Sequence, residues 1–328
     1  MQTPLSGKRV LITGGRGYLA ANVMRLLATA GCHVTRLDRT PGAIGSDAAH
    51  DIRRLYADIR EADVWERALE GIDIVYHFAA QTSVYVAWQD PMEDIKANVL
   101  PMLRLLEVCR RKAWKPIILF SGSATEIGLT SDWPVDESVN DDPVTIYDLH
   151  KLSAEKYLKH YIREGLVRGA ILRLANVYGP GPKSSSADRG VLNLMMRKAI
   201  RGEPLTIYGT GHYMRDYVFV EDVAEAFVQA AIHIEKTNGG HFLLGSGQGH
   251  TLAAAINLVA ERAGLKTGRR VPVQYVEPPS GLSPIESRNF VANITRFASA
   301  TGWLPQVKFS EGIDRTLEYF LSQEKVTA

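Results

Sequence analysis

The stretch from Lys8 to Asp38, KRVLITGGRGYLAANVMRLLATAGCHVTRLD, decides the fold of this 328-residue chain. Val10 to Ile12 is an apolar run without polar alternation, which is typical of a strand buried on both faces of a parallel sheet. Thr13 to Gly15 predicts a tight turn, and apolar residues then recur at helical spacing from Leu19 to Ala30. A second strand follows, so the stretch predicts a strand–helix–strand unit.

The turn of this unit carries a dinucleotide-binding pattern. Gly15 to Ala20 fits G-x-G-x-x-G/A, and Asp38 follows at the end of the second strand. Glycines let the backbone approach a pyrophosphate, and the N–H groups at the helix start attract its charge. The Asp38 carboxylate suits an adenosine ribose and favours NAD over NADP, although Arg39 leaves NADP open. An ordinary glycine turn is the alternative, but the order of the elements favours dinucleotide binding.

The composition excludes several functional classes. Hydrophobic residues make up 45% and charged residues 23%, and the net charge of +2 comes from scattered Lys and Arg, so neither nucleic acid nor an anionic membrane surface is predicted. Cys32 and Cys109 form no C-x-x-C pattern, so we predict no disulfide framework, no metal site and a reducing compartment. With no long apolar run and no signal peptide, we expect a soluble, cytoplasmic protein without a membrane partner.

Strands and helices alternate up to Leu174, which predicts an α/β fold with a doubly wound parallel (Rossmann) sheet. We predict an NAD-binding domain over residues 1–175 and a smaller mixed α/β substrate lobe over residues 176–328, with an approximate boundary because strands can cross back. The further predicted strands are Leu55–Asp58, Ile72–Phe78, Pro116–Ser121, Arg168–Leu174, Leu205–Tyr208 and Tyr217–Val220. The further predicted helices are Val64–Leu69, Asp94–Lys112 with a bend at Pro101, Tyr147–Glu164, Val191–Arg201, Asp222–Ile234, Leu252–Ala263 and Glu311–Ser322. Predicted loops are Thr40–Asp51, Gly122–Thr145 and Lys183–Asp188, and Asn176 to Pro182 breaks the alternation.

Ligands of such sheets bind beyond the carboxyl ends of the strands, so chemistry is expected at Ala79–Ser83, Ser121–Thr125 and Ala175–Gly181. Tyr147 and Lys151 stand four residues apart at a predicted helix start and share one face. A phenol is a poor base at neutral pH, but a neighbouring ammonium and a nicotinamide cation favour the phenolate. A chance pair on a solvated helix face is the alternative.

Ser123 and Thr125 lie just beyond the predicted strand Pro116–Ser121. A hydroxyl at this place can bond the substrate oxygen that Tyr147 deprotonates and hold it in line for proton and hydride removal. A loop that satisfies its own backbone is the alternative.

Together these features resemble the extended short-chain dehydrogenase/reductase family, in its NAD-dependent nucleotide-sugar branch of epimerases and dehydratases. The resemblance spans nearly the whole chain through TGGRGYLA, HFAAQTSV, FSGSATEIG, YDLHK, RLANVYGPG and GTGHYMRDYVFVEDV. It implies that Tyr147 is the base, that Lys151 binds the nicotinamide ribose, and that Ser123, assisted by Thr125, binds the sugar hydroxyl. The positions implied to bind NAD are Gly14, Gly17, Tyr18, Leu19, Asp38, Arg39, Asp58, Ile59, Phe78, Ala79, Ala80, Gln81, Asn98, Ser121, Tyr147 and Lys151.

The resemblance also implies that the partner is a nucleotide-diphosphate sugar. Asn176, Arg215 and Arg288 would bind its diphosphate, because a dianion needs such donors. An ion pair with Asp216 or a nearby acid is the alternative for Arg215, and an ion pair with a nearby acid is the alternative for Arg288. Further pocket residues are expected at Ser83, Leu192 and Tyr208.

Departures from the family pattern narrow the reaction. The 4,6-dehydratases carry Thr-Asp-Glu after the fifth strand and the decarboxylases keep the Glu, whereas this chain has Ser123-Ala124-Thr125 like the 4-epimerases. Glu126 lies one position away and would need a shifted loop to substitute, while Gly122, Ile127 and Ala175 leave the pocket shape open. We therefore predict a nucleotide-sugar 4-epimerase, with a 4-ketoreductase as the alternative and a non-catalytic NAD-binding protein as a third.

The resemblance finally implies a homodimer with an intersubunit four-helix bundle formed by the helices at Asp94–Lys112 and Tyr147–Glu164. Its apolar contacts would come from Val99, Met102, Leu106, Leu152, Tyr157 and Tyr161, although these side chains can instead pack on the sheet.

Overall fold

The computed structural model describes residues 3–41, 52–182 and 190–327. Most of the predicted loop Thr40–Asp51 and the predicted loop Lys183–Asp188 lie outside the described residues. The strands are β1 (Arg9–Thr13), β2 (His33–Asp38), β3 (Ile52–Tyr56), β4 (Ile74–His77), β5 (Ile117–Ser123), β6 (Arg168–Leu174), β7 (Asn176–Tyr178), β8 (Leu205–Tyr208), β9 (Met214–Phe219), β10 (His241–Leu244), β11 (Gly249–Thr251) and β12 (Val273–Val276).

The helices flank these strands and follow the apolar periodicity of the sequence. They are α1 (Tyr18–Thr29), α2 (Val64–Leu69), α3 (Val84–Gln89), α4 (Pro91–Asn98), α5 (Leu100–Lys112), α6 (Ile146–Arg163), α7 (Val191–Ile200), α8 (Val220–Ile232), α9 (Ile234–Thr237), α10 (Leu252–Thr267), α11 (Thr295–Thr301) and α12 (Phe309–Thr327). Two 3-10 turns lie at Ala124–Ile127 and Pro284–Ser287. Within the described chain, no helix is both long and apolar enough to cross a membrane.

Seven strands form one parallel sheet in the order β10-β6-β5-β4-β1-β2-β3, so the predicted doubly wound fold is confirmed. One face packs against α1 and α8 in an apolar cluster that includes Val23 and Phe227. The other face packs against α2, α5 and α6 in a cluster that includes Trp65 and Leu158. Both faces are buried, as the continuous apolar runs of the strands require.

The second half of the chain contributes to both parts of the fold. Its strands form a three-stranded sheet, β11-β9-β7, and a two-stranded sheet, β12-β8. An apolar cluster that includes Met196, Val259 and Phe320 joins these strands to α7, α10 and α12. Strand β10, however, crosses back and pairs with β6 in the main sheet. The domain boundary at residue 175 remains a prediction.

Several element boundaries differ from the sequence predictions. Strand β3 is Ile52–Tyr56 instead of Leu55–Asp58, because this edge strand carries partly exposed polar residues that obscure its start. The stretch Asp94–Lys112 is not one bent helix but two helices, since Pro101 lies in the first turn of α5, where its missing N–H costs nothing. The elements that were not predicted are strands β7, β10, β11 and β12 and helices α3, α9 and α11.

Candidate active site

The turn after β1 approaches the end of β4 closely. Gly14 has φ +64°, and a Cβ on it would lie 2.9 Å from both the N and the Cα of Ala79. The Thr13 hydroxyl accepts the N–H groups of Phe78 and Ala79, each at 3.1 Å, and lies 2.9 Å from His77 Nδ1. Because these two bonds fill its lone pairs, Thr13 must donate to His77. These contacts therefore hold the turn after β1 and the loop after β4 together.

The start of α1 fits a dinucleotide. Gly17 is the N-cap of α1, and among the described residues no side chain caps it, so the first N–H groups can bind an anion. The Asp38 carboxylate is fixed at 3.0 Å from the N–H of Arg16 and 3.0 Å from the N–H of Thr40. The carboxylate therefore stands at the edge of the turn, where an adenosine ribose is bound in such folds. Leu19 lies in the first turn of α1, half-buried.

Tyr18 joins this turn to the second half of the chain. Its hydroxyl donates to Gly179 O at 2.9 Å, and Asn193 Nδ2 lies 3.4 Å from the Tyr18 hydroxyl oxygen and 3.0 Å from Gly179 O. A Cβ at Gly181 would lie 2.6 Å from the Tyr18 ring. The tyrosine of the glycine-rich motif therefore positions the loop after β7.

Ion pairs hold the residues after β3 in place. Arg60 contacts the Asp58 carboxylate at 2.7 Å, and Arg39 lies 4.0 Å from it. The hydrogen bond from Arg60 lowers the pKa of Asp58. Ile59 is buried, and its carbonyl accepts the Trp65 indole N–H at 2.9 Å. These contacts fix the turn that is predicted to contribute Asp58 and Ile59 to NAD binding.

The loop after β4, which contains Ala80, is anchored by a network that the sequence analysis did not anticipate. Asn98 forms two bonds to the Gln81 backbone, at 3.1 and 3.0 Å. Asp94, which is 1% exposed, accepts Asn98 Nδ2 at 2.9 Å and Gln81 Nε2 at 2.6 Å. Its second oxygen lies 2.6 Å from His150 Nδ1 on α6. The network therefore joins the loop to His150 of α6, the residue before Lys151. The one sequence feature that indicates this network is the acid Asp94, four residues before Asn98.

Tyr147 and Lys151 occupy successive turns of α6 at the edge of the sheet. Both are buried, with 6% and 3% exposure, so the alternative of a solvated helix face is wrong. Tyr147 packs on Val84 of α3, and Lys151 Nζ lies 4.0 Å from the centroid of the Phe120 ring. Burial, with the Lys151 charge as a second cause, lowers the pKa of His77 to about 3. The Lys151 ammonium therefore lies close to the end of β4.

The hydroxyl residues of β5 face α6. Ser123 Oγ lies 2.6 Å from Thr125 Oγ1, and the Thr125 hydroxyl donates to Asp148 of α6. Ser121 is buried, and its hydroxyl donates to His77 O at 3.3 Å. The alternative that this loop only satisfies its own backbone is wrong, because Thr125 bonds a side chain of the helix that carries Tyr147.

Glu126 follows this hydroxyl pair in the sequence and is buried against Arg173. It is fully buried, with Oε1 2.6 Å from the N–H of Ser123 and Oε2 3.2 Å from Arg173 Nε. Burial, followed by the negative charge of Glu155, raises its pKa and favours the neutral form. A Cβ at Gly122 would lie 3.0 Å from Arg173 Cγ and 3.2 Å from Glu126 Oε1, which explains the glycine.

Three residues predicted to bind a diphosphate lie together. Arg288 Nη2 donates to Asn176 Oδ1 at 3.3 Å, and Arg215 donates to the carbonyls of Glu286, at 2.7 Å, and Arg288. Arg215 does not pair with Asp216, which instead accepts backbone N–H groups such as that of Ala292 at 3.0 Å. In the described chain no carboxylate lies within ion-pair distance of Arg215, and Asn176 Nδ2 is buried without a partner.

The side chains of Asn176, Arg215 and Arg288 are suited to binding an anion. Arg215 is 6% exposed and bonded to neutral carbonyls, and burial lowers the pKa of its guanidinium. A buried cation compensated only by dipoles favours a negatively charged ligand.

The other predicted pocket residues are more dispersed. Ser83 is the N-cap of α3 and accepts the N–H of Val86 at 3.1 Å. Leu192 is buried in the apolar cluster around Met196, and Tyr208 is 44% exposed at the end of β8. Their role in binding a sugar stays a prediction. Among the described residues, no group of three His, Cys, Asp or Glu side chains could hold a metal ion.

A doubly wound sheet with a dinucleotide turn and a buried Tyr–Lys pair at its carboxyl edge defines the class of extended short-chain dehydrogenases/reductases. The profile of the NAD dependent epimerase/dehydratase family matches residues 10–245. The chain therefore belongs to that family, and the resemblance found in the sequence is confirmed.

Relatives of known name extend over the whole chain. The UDP-glucose 4-epimerase of Mycolicibacterium smegmatis is 28% identical over 324 residues, covering 97% of this chain and 100% of that protein. The structure of UDP-glucose 4-epimerase with UDP-glucose from Thermotoga maritima superposes with a TM-score of 0.86 at 30% identity, covering 96% and 99% of the two chains. The structure of the Thermus thermophilus UDP-glucose 4-epimerase complex with NAD superposes with a TM-score of 0.83 at 30% identity, covering 95% of this chain and 99% of that chain.

Proposed function

We propose that this protein is an NAD-dependent nucleotide-sugar 4-epimerase. One observation carries the proposal: the chain has the full set of Ser123, Tyr147 and Lys151, and no acid occupies the two dehydratase positions, here Ala124 and Thr125. Ser123 ends β5, and Tyr147 and Lys151 lie on α6, which the Thr125 hydroxyl contacts through Asp148. Glu126, the nearest acid in sequence, is turned into the interior against Arg173. The site can therefore take a proton from a hydroxyl, but its β5 turn offers no acid to drive water loss.

We propose the following steps for the reaction. Ser123 and Tyr147 hold the sugar C4 hydroxyl, and the Tyr147 oxygen takes its proton while the buried Lys151 ammonium favours the phenolate. NAD bound along the turn after β1 supplies a reversible acceptor for the C4 hydride. Once the 4-keto sugar has turned its other face, the hydride would return to C4 and Tyr147 would return the proton to O4, so the reaction would consume no net cofactor.

The nucleotide end of the substrate is assigned to the second half of the chain. Arg215, Arg288 and Asn176 donate to the diphosphate, which replaces the carbonyl dipoles as the partner of the buried guanidinium. We propose a UDP-sugar because the relatives named above are UDP-glucose 4-epimerases. UDP-glucose is the first substrate to test.

The proposal is tested by incubating the purified protein with UDP- and dTDP-hexoses without added cofactor and separating the products by chromatography. Inversion at C4 is expected for at least one UDP-sugar, and denaturation should release NAD+ or NADH at nearly one per chain. An empty protein that reduces 4-keto sugars with NADH or NADPH and inverts none would instead identify a 4-ketoreductase. A protein that binds NAD but no nucleotide sugar would be non-catalytic.

A homodimer through the helices α5 and α6 is part of the proposal. Val99, Met102, Leu106 and Leu152, four of the six side chains predicted to make its apolar contacts, are buried inside the protomer, so we expect the contacts to come from side chains exposed on α6. The outer face of α6 instead exposes Leu149 and Tyr157, at 46% and 41%. We expect a dimeric mass by light scattering at micromolar concentration, and a monomer for Leu149→Glu; a monomeric wild type would contradict the interface. A cytoplasmic location stays a prediction.

A further inference from the structure

A buried acid, Asp94, connects three parts of the protein beyond the carboxyl edge of the main sheet. It lies in the first turn of α4 and is 1% exposed. One of its oxygens accepts Gln81 Nε2 and Asn98 Nδ2, and the other lies 2.6 Å from His150 Nδ1. At this distance the contact is a hydrogen bond, whichever of the two groups carries the hydrogen. Asp94 therefore bonds α4 to the loop after β4 and to α6.

The loop that Asp94 holds lies where a parallel sheet of this kind binds its ligand. From β1 the chain continues to β2 and β3 on one side and to β4 and β5 on the other, so the strand order reverses between β1 and β4. Ligands bind in the crevice beyond the strand ends at such a point. Ala79 also touches the dinucleotide turn, since a Cβ on Gly14 would lie 2.9 Å from it. The loop from Ala79 to Gln81 is therefore one wall of the crevice.

Helix α6 forms the wall on the other side. Lys151 follows His150 and lies 4.0 Å from the centroid of the Phe120 ring of β5. Burial and, second, the Lys151 charge lower the pKa of His77 at the end of β4, so the ammonium faces this edge of the sheet. A dinucleotide that starts at the turn after β1 and reaches Tyr147 passes between α6 and the loop after β4.

We infer that Asp94 and His150 are positioning residues whose hydrogen bond holds these two walls together and slows the release of NAD. The inference rests on the proposed function and deepens it. A 4-epimerase has to keep NADH bound while the sugar is a ketone, because a hydride that leaves with the cofactor cannot return to C4. Asp94 acts through Gln81 on one wall, and His150 acts through Lys151 on the other.

A purely structural role for this hydrogen bond makes a different prediction. An acid in the first turn of a helix stabilises that helix, and a buried bond between α4 and α6 stabilises their packing. In that case, breaking the bond lowers the melting temperature, but the cofactor leaves no faster than after any other change that destabilises α6 equally.

Exchange of the bound cofactor separates the two roles. The purified protein with its NAD+ is mixed with excess NADH and desalted at intervals, and the NADH that stays bound is measured by its fluorescence. Because NADH can bind only after NAD+ has left, the rise in bound NADH reports the rate of release. His150→Leu keeps a side chain of similar size but cannot form the bond, so it should exchange about tenfold faster than wild type, the equivalent of one buried hydrogen bond.

Turnover of UDP-glucose gives a second readout. Without added NAD+, His150→Leu should lose activity during the assay as the cofactor leaves, and added NAD+ should restore what was lost. Wild type should need no added NAD+. A structural role predicts no such dependence on NAD+.

Two further variants test whether the bond itself is responsible. His150→Asn places a side-chain amide near the position of Nδ1 and can donate to Asp94, so its exchange should return close to the wild-type rate. Asp94→Ala also removes the contacts to Gln81 and Asn98, so it should exchange at least as fast as His150→Leu. Adding His150→Leu to Asp94→Ala should change the rate by less than about a factor of two, because both changes break the same bond.

Leu158→Ala is the matched control for lost stability. Leu158 lies further along α6 and is buried in the apolar cluster that includes Trp65. The variant should lower the melting temperature by leaving a cavity, but its exchange rate should equal that of wild type. Unchanged exchange in His150→Leu, or equally fast exchange in Leu158→Ala, would refute the inference. If Asp94→Ala does not fold, equal exchange in His150→Leu and His150→Asn would also refute it.

Failure of the proposed function gives a different result. A wild type that inverts no nucleotide sugar would overturn the 4-epimerase. In that case, about tenfold weaker binding of NADH to His150→Leu than to wild type in a fluorescence titration would still support the role of the bond. Equal binding would refute it as well.

Discussion

The contact between Gly14 and Ala79 makes a quantitative prediction for Gly14→Ala. The new Cβ would lie 2.9 Å from two backbone atoms of Ala79 and 3.2 Å from a third atom, the carbonyl carbon of Phe78. Backbone atoms cannot rotate away as a flexible side chain can, so the loop after β4 must move. The φ of +64° adds strain, because an L residue rarely adopts this conformation.

The two costs can be separated. An alanine at positive φ costs about 1–2 kcal/mol, and overpacking against fixed atoms costs about 1–3 kcal/mol, so Gly14→Ala should lower the free energy of unfolding by about 2–5 kcal/mol. Gly165 has φ +68°, and a Cβ there would meet no atom within 4 Å. Gly165→Ala should therefore show only the first cost, about 1–2 kcal/mol.

Urea denaturation followed by circular dichroism measures both variants. Isothermal titration of NAD+ into the stripped protein should also show at least tenfold weaker binding for Gly14→Ala, since the moved loop is predicted to line the dinucleotide, and unchanged binding for Gly165→Ala. Equal destabilisation of the two variants, or wild-type NAD affinity in Gly14→Ala, would refute the close packing of the turn on Ala79.

Three further predictions concern single side chains. Tyr147→Phe should lower kcat by at least about a hundredfold with little change in KM, because the proton acceptor is lost while the ring still packs on Val84; steady-state kinetics would expose near-normal turnover. Glu126→Gln should become more stable relative to wild type as the pH rises. The raised pKa of Glu126 in the folded protein stabilises wild type below the unfolded pKa near 4.5, and above that pH this contribution falls by about 1.4 kcal/mol per pH unit until the folded pKa is passed. Gln does not titrate, so the variant shows no such fall. Denaturation at about pH 5 and about pH 8 checks this, and a constant difference would contradict it. Arg288→Ala should weaken UDP binding about tenfold without lowering the melting temperature by more than a few degrees, and calorimetry showing unchanged UDP affinity would remove Arg288 from the substrate site.

The sequence predicted the parts of the fold that depend on local pattern. The apolar run at Val10 to Ile12, the glycine turn and the strand ending at Asp38 form the expected unit because parallel strands must be apolar on both faces. One strand of the main sheet, β10, was not predicted. His241–Leu244 is only four residues long between glycines, and it becomes a strand by pairing with β6, a long-range contact that periodicity does not report.

Helix faces were harder to assign than helices. Met102 and Leu106 have the apolar spacing of an interface, but the same spacing suits a face that packs on the sheet, where the structure places them. Val99 is buried as well. Pro101 was expected to bend a helix and instead begins one, because the first turn of a helix needs no N–H from it.

The candidate site was predictable where it follows strand ends. Ser123, Tyr147 and Lys151 come from a spacing rule and from the carboxyl edge of the sheet. Asp94 and Asp148 were missed because a buried acid is defined by its partner, and Asp94 meets His150 across 56 residues of chain. No local pattern reports such a pair.

The fate of the C4 hydrogen tests the central claim most directly. The protein should be incubated with UDP-glucose in D2O without added NAD, and the product examined by proton NMR. The account predicts UDP-galactose with full retention of protium at C4, because the hydride leaves to a bound acceptor and returns without contacting solvent. Deuterium at C4, or inversion undiminished in Tyr147→Phe, would contradict it.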